Sequence, residues 1–494
     1  MDHLPALLII TPLAGAALVF VTSRSVDRAI TTVTAALITA LAVLLAARVL
    51  DTGAFRYQVG GWAAPVGIDL VADGPAALFI LLTAVVGSAV TLYATGYFPS
   101  SEPTRYGNGL FWTLWLFMWT SLNALFLTGD VFNVYVCLEL VGISAVALVT
   151  LKGDAEALRA GGRYLFASML AAMTYLLGVA LVYSSVGQLD METLRGVLLE
   201  PGMAGSGVAV GLALMVVALV LKTALVPAHF WLPTAHASAP TPVSAALSAL
   251  VVKGSYFALL RLMLGVMPPG FLPGVDVTLA ALGSLAILWG SLQAMLQPRI
   301  KQFVAYSTVA QIGYLFIVFP IARAGEDVLT LALTGALLHA IAHGLAKAGL
   351  FLGAGSLMER FGHAEIARMR GAARTAPVLT AAIALAGVTM MGLPPSGGFG
   401  SKWMLISASL HAGQWWWALV LGGGGLLAAA YMFRVIAVFV SDAEDDIGPA
   451  RAPVRLEWMP LALAVAALFF VLAAPLVSDL VAVSTLDAPA VMLP

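Results

Sequence analysis

Apolar residues in this chain run in blocks of about twenty, and the polar positions are gathered into short intervals between the blocks. An α-helix rises about 1.5 Å per residue, so twenty apolar residues match the roughly 30 Å hydrocarbon layer of a bilayer. A window of that length predicts about fourteen helical spans, near residues 4–22, 27–49, 74–98, 108–128, 130–150, 163–185, 207–226, 241–266, 276–297, 301–322, 328–357, 376–410, 413–440 and 456–478. The intervals are too short for a soluble domain. The expected architecture is therefore all-α, a single polytopic membrane domain over 1–494. Of the 494 residues, 61% are hydrophobic and 10% charged, and the mean hydropathy is +0.98, which leaves lipid as the solvent of most of the chain.

Two segments interrupt the helical pattern. Lys222 is followed by TALVPAHFWLPTAHASAPTPVSAAL, where Pro227, Pro233, Pro240 and Pro242 cannot continue a hydrogen-bonded ladder. TMMGLPPSGGFGSKW carries Pro394, Pro395, Gly397, Gly398 and Gly400 just before Lys402. Carbonyls freed at membrane depth are tolerated where they are buried in protein or line a wet cavity, and paired broken helices point to an ion path. The pattern predicts two inverted repeats, 108–266 and 276–440, with Lys222 and Lys402 in equivalent places.

Charge inside the spans changes the picture most. Glu139, Lys222, Lys253, Lys347 and Lys402 stand in stretches apolar enough to cross a membrane. Each such charge costs roughly 2.5 to 3.5 kcal/mol on insertion scales, and five together on the order of 15, so a function is expected of the set. All are proton-exchanging groups. A buried lysine releases its proton more readily than one in water and a nearby carboxylate opposes this, so Glu139 beside Lys222 makes a loading switch. LHAIAHGLAKAGLF sets His339, His343 and Lys347 four residues apart, on one helical face, as a relay from Lys253 towards Lys402. Tyr306, Ser307, Thr308 and Gln311 in the preceding span offer hydroxyls and an amide to hold water beside that relay. His229 and His236, beside the first break, are secondary candidates that serve equally as caps for freed carbonyls.

Plainer readings stand beside these. Lys222 can snorkel, and Glu139 can lock two helices as an ion pair. The His339 and His343 spacing is that of a zinc-binding helix, but the glutamate of HExxH is missing and no cysteine is near, so no metal and no cofactor are expected. SGGFGSK lacks the GxxxxGK[ST] order of a phosphate loop, and LGGGGLL at 421–427 reads as close helix packing. The single Cys137 excludes an internal disulfide and a multi-cysteine cluster, and a net charge of -1 gives no reason to expect nucleic acid. A metal-dependent membrane enzyme and an organic-solute carrier are the other readings, and neither has a sequence feature that a proton path leaves unexplained.

Orientation follows from the basic residues. Arg24, Arg28, Arg105, Lys152, Arg159, Arg163, Arg299, Lys301, Arg360, Arg368, Arg370, Arg374, Arg451 and Arg455 fall on one side, against chiefly Arg56, Arg195 and Arg323 on the other. The positive-inside rule then places both termini outside the cytoplasm of a cell membrane. MDHLPALLIITPL has its arginines after the apolar core, so a retained first span is expected rather than a cleaved leader.

TGDVFNVYVCLELVGISAVALVTLKGDAEALRAGGRYL, LKTALVPAHFWLPTAHASAPTPVSAALSALVVKGSYFALLR, IKQFVAYSTVAQIGYL, LHAIAHGLAKAGLFLGAG and GLPPSGGFGSKW together resemble the antiporter-like subunits of respiratory complex I and of Mrp multisubunit cation/proton antiporters. GDVFNVYVCLE with Lys402 is most similar to the D-type member of the Mrp antiporters. The resemblance implies a fourteen-helix core with a polar axis along the membrane midplane. It places Glu139 as the family's fifth-span glutamate, Lys222 beside the broken seventh helix and Lys253 as the connecting lysine of the eighth. It places His339, His343 and Lys347 on the polar row of the eleventh span and Lys402 beside the broken twelfth. The largest complex I relative carries a long carboxy-terminal lateral helix, for which the some sixteen residues after the last span leave no room. The implied function is an ion-transporting subunit, not an enzyme in itself, that exchanges sodium or another monovalent cation for protons. Its implied partners are a larger antiporter-like subunit and several small ones. The alternative is a proton-pumping subunit of a complex I or membrane-bound hydrogenase arm, grouped with translocases.

Overall fold

The computed structural model describes residues 3–22, 26–64, 66–98, 110–200, 205–442 and 457–486. Arg24, Arg105, Arg451 and Arg455, part of the basic side expected from sequence, lie outside the described residues. Among the described residues, twelve helices are long and apolar enough to cross a membrane. They are α1 (Leu4–Val21), α2 (Asp27–Thr52), α3 (Gly74–Tyr97), α4 (Leu110–Leu127), α5 (Val131–Val149), α6 (Ala155–Val186), α10 (Thr241–Val266), α11 (Val275–Leu296), α12 (Ile300–Ala322), α13 (Glu326–Phe361), α16 (Trp415–Val440) and α17 (Trp458–Ala482). A short amphipathic helix, α7 (Met191–Leu199), lies outside this set.

The two expected breaks account for the remaining spans. α8 (Ser206–Lys222) and α9 (Leu232–Ser238) are separated by an irregular stretch, as are α14 (Pro377–Met391) and α15 (Gly397–His411). Gly398 explains how the second break closes. A β-carbon there would sit 1.8 Å from the carbonyl oxygen of Thr389, so only glycine lets the two half-helices approach this closely. Lys222 is the last residue of α8, ahead of its break, whereas Lys402 lies within α15, after its break. The expected equivalence of the two lysines is thus corrected: proline first appears five residues after Lys222, but glycines and prolines all precede Lys402.

The helix α10, nearly all of α12 and the middle of α13 are enclosed, with α3 and α4 beside them, while α1, α2, α11, α16 and α17 form much of the rim. Apolar surface on the rim helices fits lipid, which removes the need for the one-sided patterning of soluble helices. Of the LGGGGLL glycines, Gly424 makes the close approach expected there, against Tyr314 and Ile287, and a β-carbon on Gly425 would stand 3.3 Å from the Met391 carbonyl oxygen; Gly422 and Gly423 face open space.

Two features outside the helices escaped the hydropathy pattern. β1 (Phe55–Gln58) and β2 (Asp69–Ala72) form an antiparallel hairpin with Phe55 opposite Ala72. Arg56 on β1 holds Asp69 at 3.0 Å, Asp190 at 3.0 Å and Glu192 at 2.7 Å, which ties the hairpin to the start of α7. The second feature is a buried pin. Asp73 caps α3 through the Ala76 amide at 3.0 Å, accepts from Arg261 of α10 at 2.7 Å and from the Thr485 amide and hydroxyl at 3.2 and 2.7 Å. Removing one partner of a buried pair costs about 3 to 5 kcal/mol, whereas replacing both with apolar groups is close to neutral. Asp73→Ala is therefore expected to lower the thermal unfolding midpoint of detergent-purified protein sharply, and Asp73→Ala with Arg261→Met to recover most of it; an unchanged midpoint in the single variant contradicts the pin.

Candidate functional site

The first polar centre forms where α5, α6 and the end of α8 meet. Lys222, at the carboxy-terminal end of α8, donates to the Leu138 carbonyl at 3.2 Å, to the Ser168 hydroxyl at 3.0 Å and to Glu139 at 3.4 Å. Glu139 and Lys222, paired on paper by their chemistry alone, are therefore neighbours in space. Their side chains are 22% and 9% exposed, so the carboxylate is at the rim and the amine inside. Gly142, three residues after Glu139, leaves room for this contact: a β-carbon there would stand 2.4 Å from the Ser168 hydroxyl and 3.6 Å from the Lys222 amine. Trp231 stacks on Tyr164 at 4.3 Å and donates to the Leu221 carbonyl at 3.1 Å, which also accepts from the Ala224 amide, and so packs against the break next to Lys222. Ser168 was not anticipated, and nothing in the sequence distinguishes it from other small residues of α6.

Lys253, Lys347 and Lys402 are enclosed, and none has a carboxylate within ion-pair distance among the described residues. Their acceptors are backbone carbonyls, joined at Lys347 by a hydroxyl. Lys253 donates to Ser248 at 2.7 Å, inside a widened turn of α10 at Leu247–Val251 whose carbonyls are loosened from the regular ladder. Lys347 donates to the Val304 carbonyl at 3.0 Å and to the Ser307 hydroxyl. Lys402 donates to Met390 at 2.8 Å and Met391 at 3.4 Å, carbonyls left over where α14 ends, and its amine lies 4.4 Å from the centre of the Tyr314 ring.

Between Lys347 and Lys402 the α13 histidines line up as their spacing predicts. His339 and His343 stack with ring centres 5.8 Å apart. His339 contacts the Gln311 carbonyl at 3.2 Å and the Ser401 hydroxyl at 3.3 Å, one residue from Lys402. His343 is buried with neither ring nitrogen bonded to a protein group. The α12 groups fall where they were sought: Ser307 on Lys347, Thr308 hydroxyl to hydroxyl with Ser248 at 2.8 Å, and Gln311 donating to Met390 at 3.1 Å. Tyr306 instead turns towards His229, 6.5 Å away between rings.

The two secondary histidines separate. His236 is enclosed and stacks on Phe351, one turn beyond Lys347, with ring centres 4.8 Å apart. His229 stays half-buried by Tyr306, away from the lysine row. No group of three or more His, Cys, Asp or Glu stands close enough to hold a metal among the described residues. Cys137 is buried and alone.

Sequence reasoning also misplaced one group. Lys301, counted among the loop cations, lies in the first turn of α12, buried, with its amine on the Ala239 carbonyl at 2.9 Å and the Ser244 hydroxyl at 3.3 Å. It stands just after Pro298 and Arg299 but opens the predicted span 301–322, and Lys301, Thr308 and Gln311 share a helical face, which was the available signal.

This geometry can be set beside known proteins. Residues 128–428 match the family described as NADH:quinone oxidoreductase/Mrp antiporter, TM. The chain is 38% identical over 441 residues to the N subunit of the NADH-quinone oxidoreductase of Desulforudis audaxviator, covering 88% of this chain and 86% of that protein. It is 30% identical over 414 residues to the D subunit of the Na(+)/H(+) antiporter of Alkalihalophilus pseudofirmus, covering 83% and 81%. A chain in the structure of the membrane-bound sulfane sulfur reductase, an archaeal respiratory membrane complex, superposes with a TM-score of 0.86 at 26% identity over 98% of each chain. With the family match spanning more than half of its length, this multi-pass membrane protein belongs to the NADH:quinone oxidoreductase/Mrp antiporter family.

Proposed function

We propose that this chain is the proton-translocating subunit of a hetero-oligomeric membrane complex and that the complex exchanges a monovalent cation, sodium foremost, for protons. The observation that carries the reading is the series of enclosed lysines whose acceptors are carbonyls and hydroxyls. An ammonium locked to a carboxylate is a structural pair, whereas one held by neutral acceptors can lose its proton and leave no uncompensated charge behind. Protons load at Lys222, with Glu139 setting the charge that Lys222 carries. They pass Lys253, Lys347, His343 and His339 and leave near Lys402. His236, beside Lys347 through Phe351, joins this path more readily than His229.

Element order supports two inverted repeats, 108–266 and 276–440: a helix, a second helix, a long helix, a broken helix and a closing helix occur twice, as α4 to α10 and α11 to α16. The abundance of arginine on one side supports both termini lying outside the cytoplasm of a cell membrane. Partner subunits, including a larger antiporter-like one, are supported by relatives that are themselves named subunits and by a structural neighbour that belongs to a respiratory membrane complex. Sodium exchange is supported by likeness to a member of a Na(+)/H(+) antiporter. A second reading is favoured by the 38% identity to part of an NADH-quinone oxidoreductase: the same axis would then be driven by redox partners. Proton uptake that needs an electron donor and ignores sodium selects it.

Everted vesicles containing the whole complex test the axis. Glu139→Ala, Lys222→Ala and Lys402→Ala are each expected to cut sodium-driven proton flux to near background while the complex still assembles; normal flux in all three contradicts the axis. Ser168→Ala removes one of three Lys222 acceptors, and a hydrogen bond to a charged group contributes about 1.5 to 3 kcal/mol, so a fall in flux of about tenfold or more is expected, with assembly intact. Flux unchanged by Ser168→Ala assigns the work of holding Lys222 to Leu138 and Glu139 alone.

A further inference from the structure

Lys301 is an enclosed amine that the path above does not use. It sits where a membrane face meets the interior. Two residues earlier, the Arg299 side chain is 55% exposed and lies 3.9 Å from Glu156, and the Ile300 amide bonds the Ala364 carbonyl of the loop after α13 at 2.9 Å. Lys301 itself is 4% exposed. On α12 it starts a stripe of polar contacts at one-turn intervals. Lys301 meets Ser244 of α10, Val304 and Ser307 accept from Lys347, Thr308 meets Ser248, and the Gln311 carbonyl meets His339. Six residues of helix separate Lys301 from Ser307, about 9 Å along α12. The stripe therefore continues the lysine row outward, from Lys347 towards the arginine-bearing face.

Carbonyl capping does not require a lysine there. The Ala239 carbonyl lies in the extended link between α9 and α10, outside either ladder, but any neutral donor satisfies it, and the Ser244 hydroxyl already stands 3.5 Å from it while bonding the His236 carbonyl, which the missing N–H of Pro240 leaves open, at 2.9 Å. A buried amine is an expensive way to supply one donor. We propose that Lys301 is a further proton-carrying residue, the branch that connects the axis at Ser307 and Lys347 to water at the membrane face bearing Arg299; this rests on the proton-translocating reading above. In the step, an N–H bond of the Lys301 ammonium breaks to a water on the Ser307 side, leaving a neutral amine on the Ala239 carbonyl. A proton from hydronium at the Arg299 face then restores the ammonium, so one proton moves inward and no other atom is exchanged.

The test compares Lys301→Arg and Lys301→Gln in everted vesicles holding the assembled complex. Each variant keeps a donor for the Ala239 carbonyl, but a guanidinium does not give up its proton and an amide does not carry one. Flux at least tenfold below the unmodified complex in both, with assembly retained, is the expected result; flux above half in either variant overturns the proposal and leaves Lys301 as a cap. A second measurement covers variants that fail to assemble. Lys301→Cys in a Cys137→Ser background is expected to react with a membrane-impermeant thiosulfonate applied from the Arg299 face and not from the other; an unreactive thiol from both faces overturns the branch. Lys402→Ala in the same vesicles separates the two readings: loss of flux there with normal Lys301 variants sinks only the branch, and the reverse sinks only the path to Lys402.

Discussion

An ammonium enclosed among apolar helices must find acceptors, and this fold supplies them from the backbone instead of from carboxylates. That constraint organises the interior. A regular helix has no spare carbonyls except at its end. Each enclosed lysine therefore sits at an irregularity or reaches the helix next to it: Lys402 at the end of α14, Lys253 at the widened turn of α10, Lys301 at the turn between α9 and α10, and Lys347 at a Val304 carbonyl. The broken helices and the lysines are one design. Glycine makes it compact, as at Gly398, where the half-helices of the second break meet with no room for a side chain.

The two ends of the row differ in kind. Lys222 has a carboxylate at its side, and that carboxylate stands at the rim of the chain, where neighbouring groups can bias it. Among the described residues the Lys402 amine bonds the Met390 and Met391 carbonyls and lies over the face of Tyr314. A charge that is paired at one end and held by dipoles at the other makes the row asymmetric, in keeping with the directional transfer proposed for it. Between the ends, stacked His339 and His343 and the hydroxyls of Ser248, Ser307 and Thr308 bring exchangeable groups close together inside an otherwise apolar wall.

Much of this was legible in the chain because the bilayer imposes a single length scale and a steep penalty on stray charge. Fourteen spans, two of them broken, follow from those two facts, and so do Glu139, Lys222, Lys253, Lys347 and Lys402 as the groups to watch. The shared face of α13 needed only helix periodicity. What stayed hidden had no such signature. The β1 and β2 hairpin is four residues a strand, too short to register against long apolar blocks. Asp73, Arg261 and Thr485 are far apart in sequence, and nothing along the chain links them. Lys301 opens a predicted span but was read with the loop cations beside Arg299, so its burial did not show.

The central claim is a connected row of proton-exchanging groups through the interior. A structure of the assembled complex in lipid at a resolution that shows ordered water tests it most directly. The account predicts water density joining Lys222, Lys253, Lys347, His339 and Lys402 in at least one resolved state. Dry apolar packing between neighbouring members of the row in every state contradicts it.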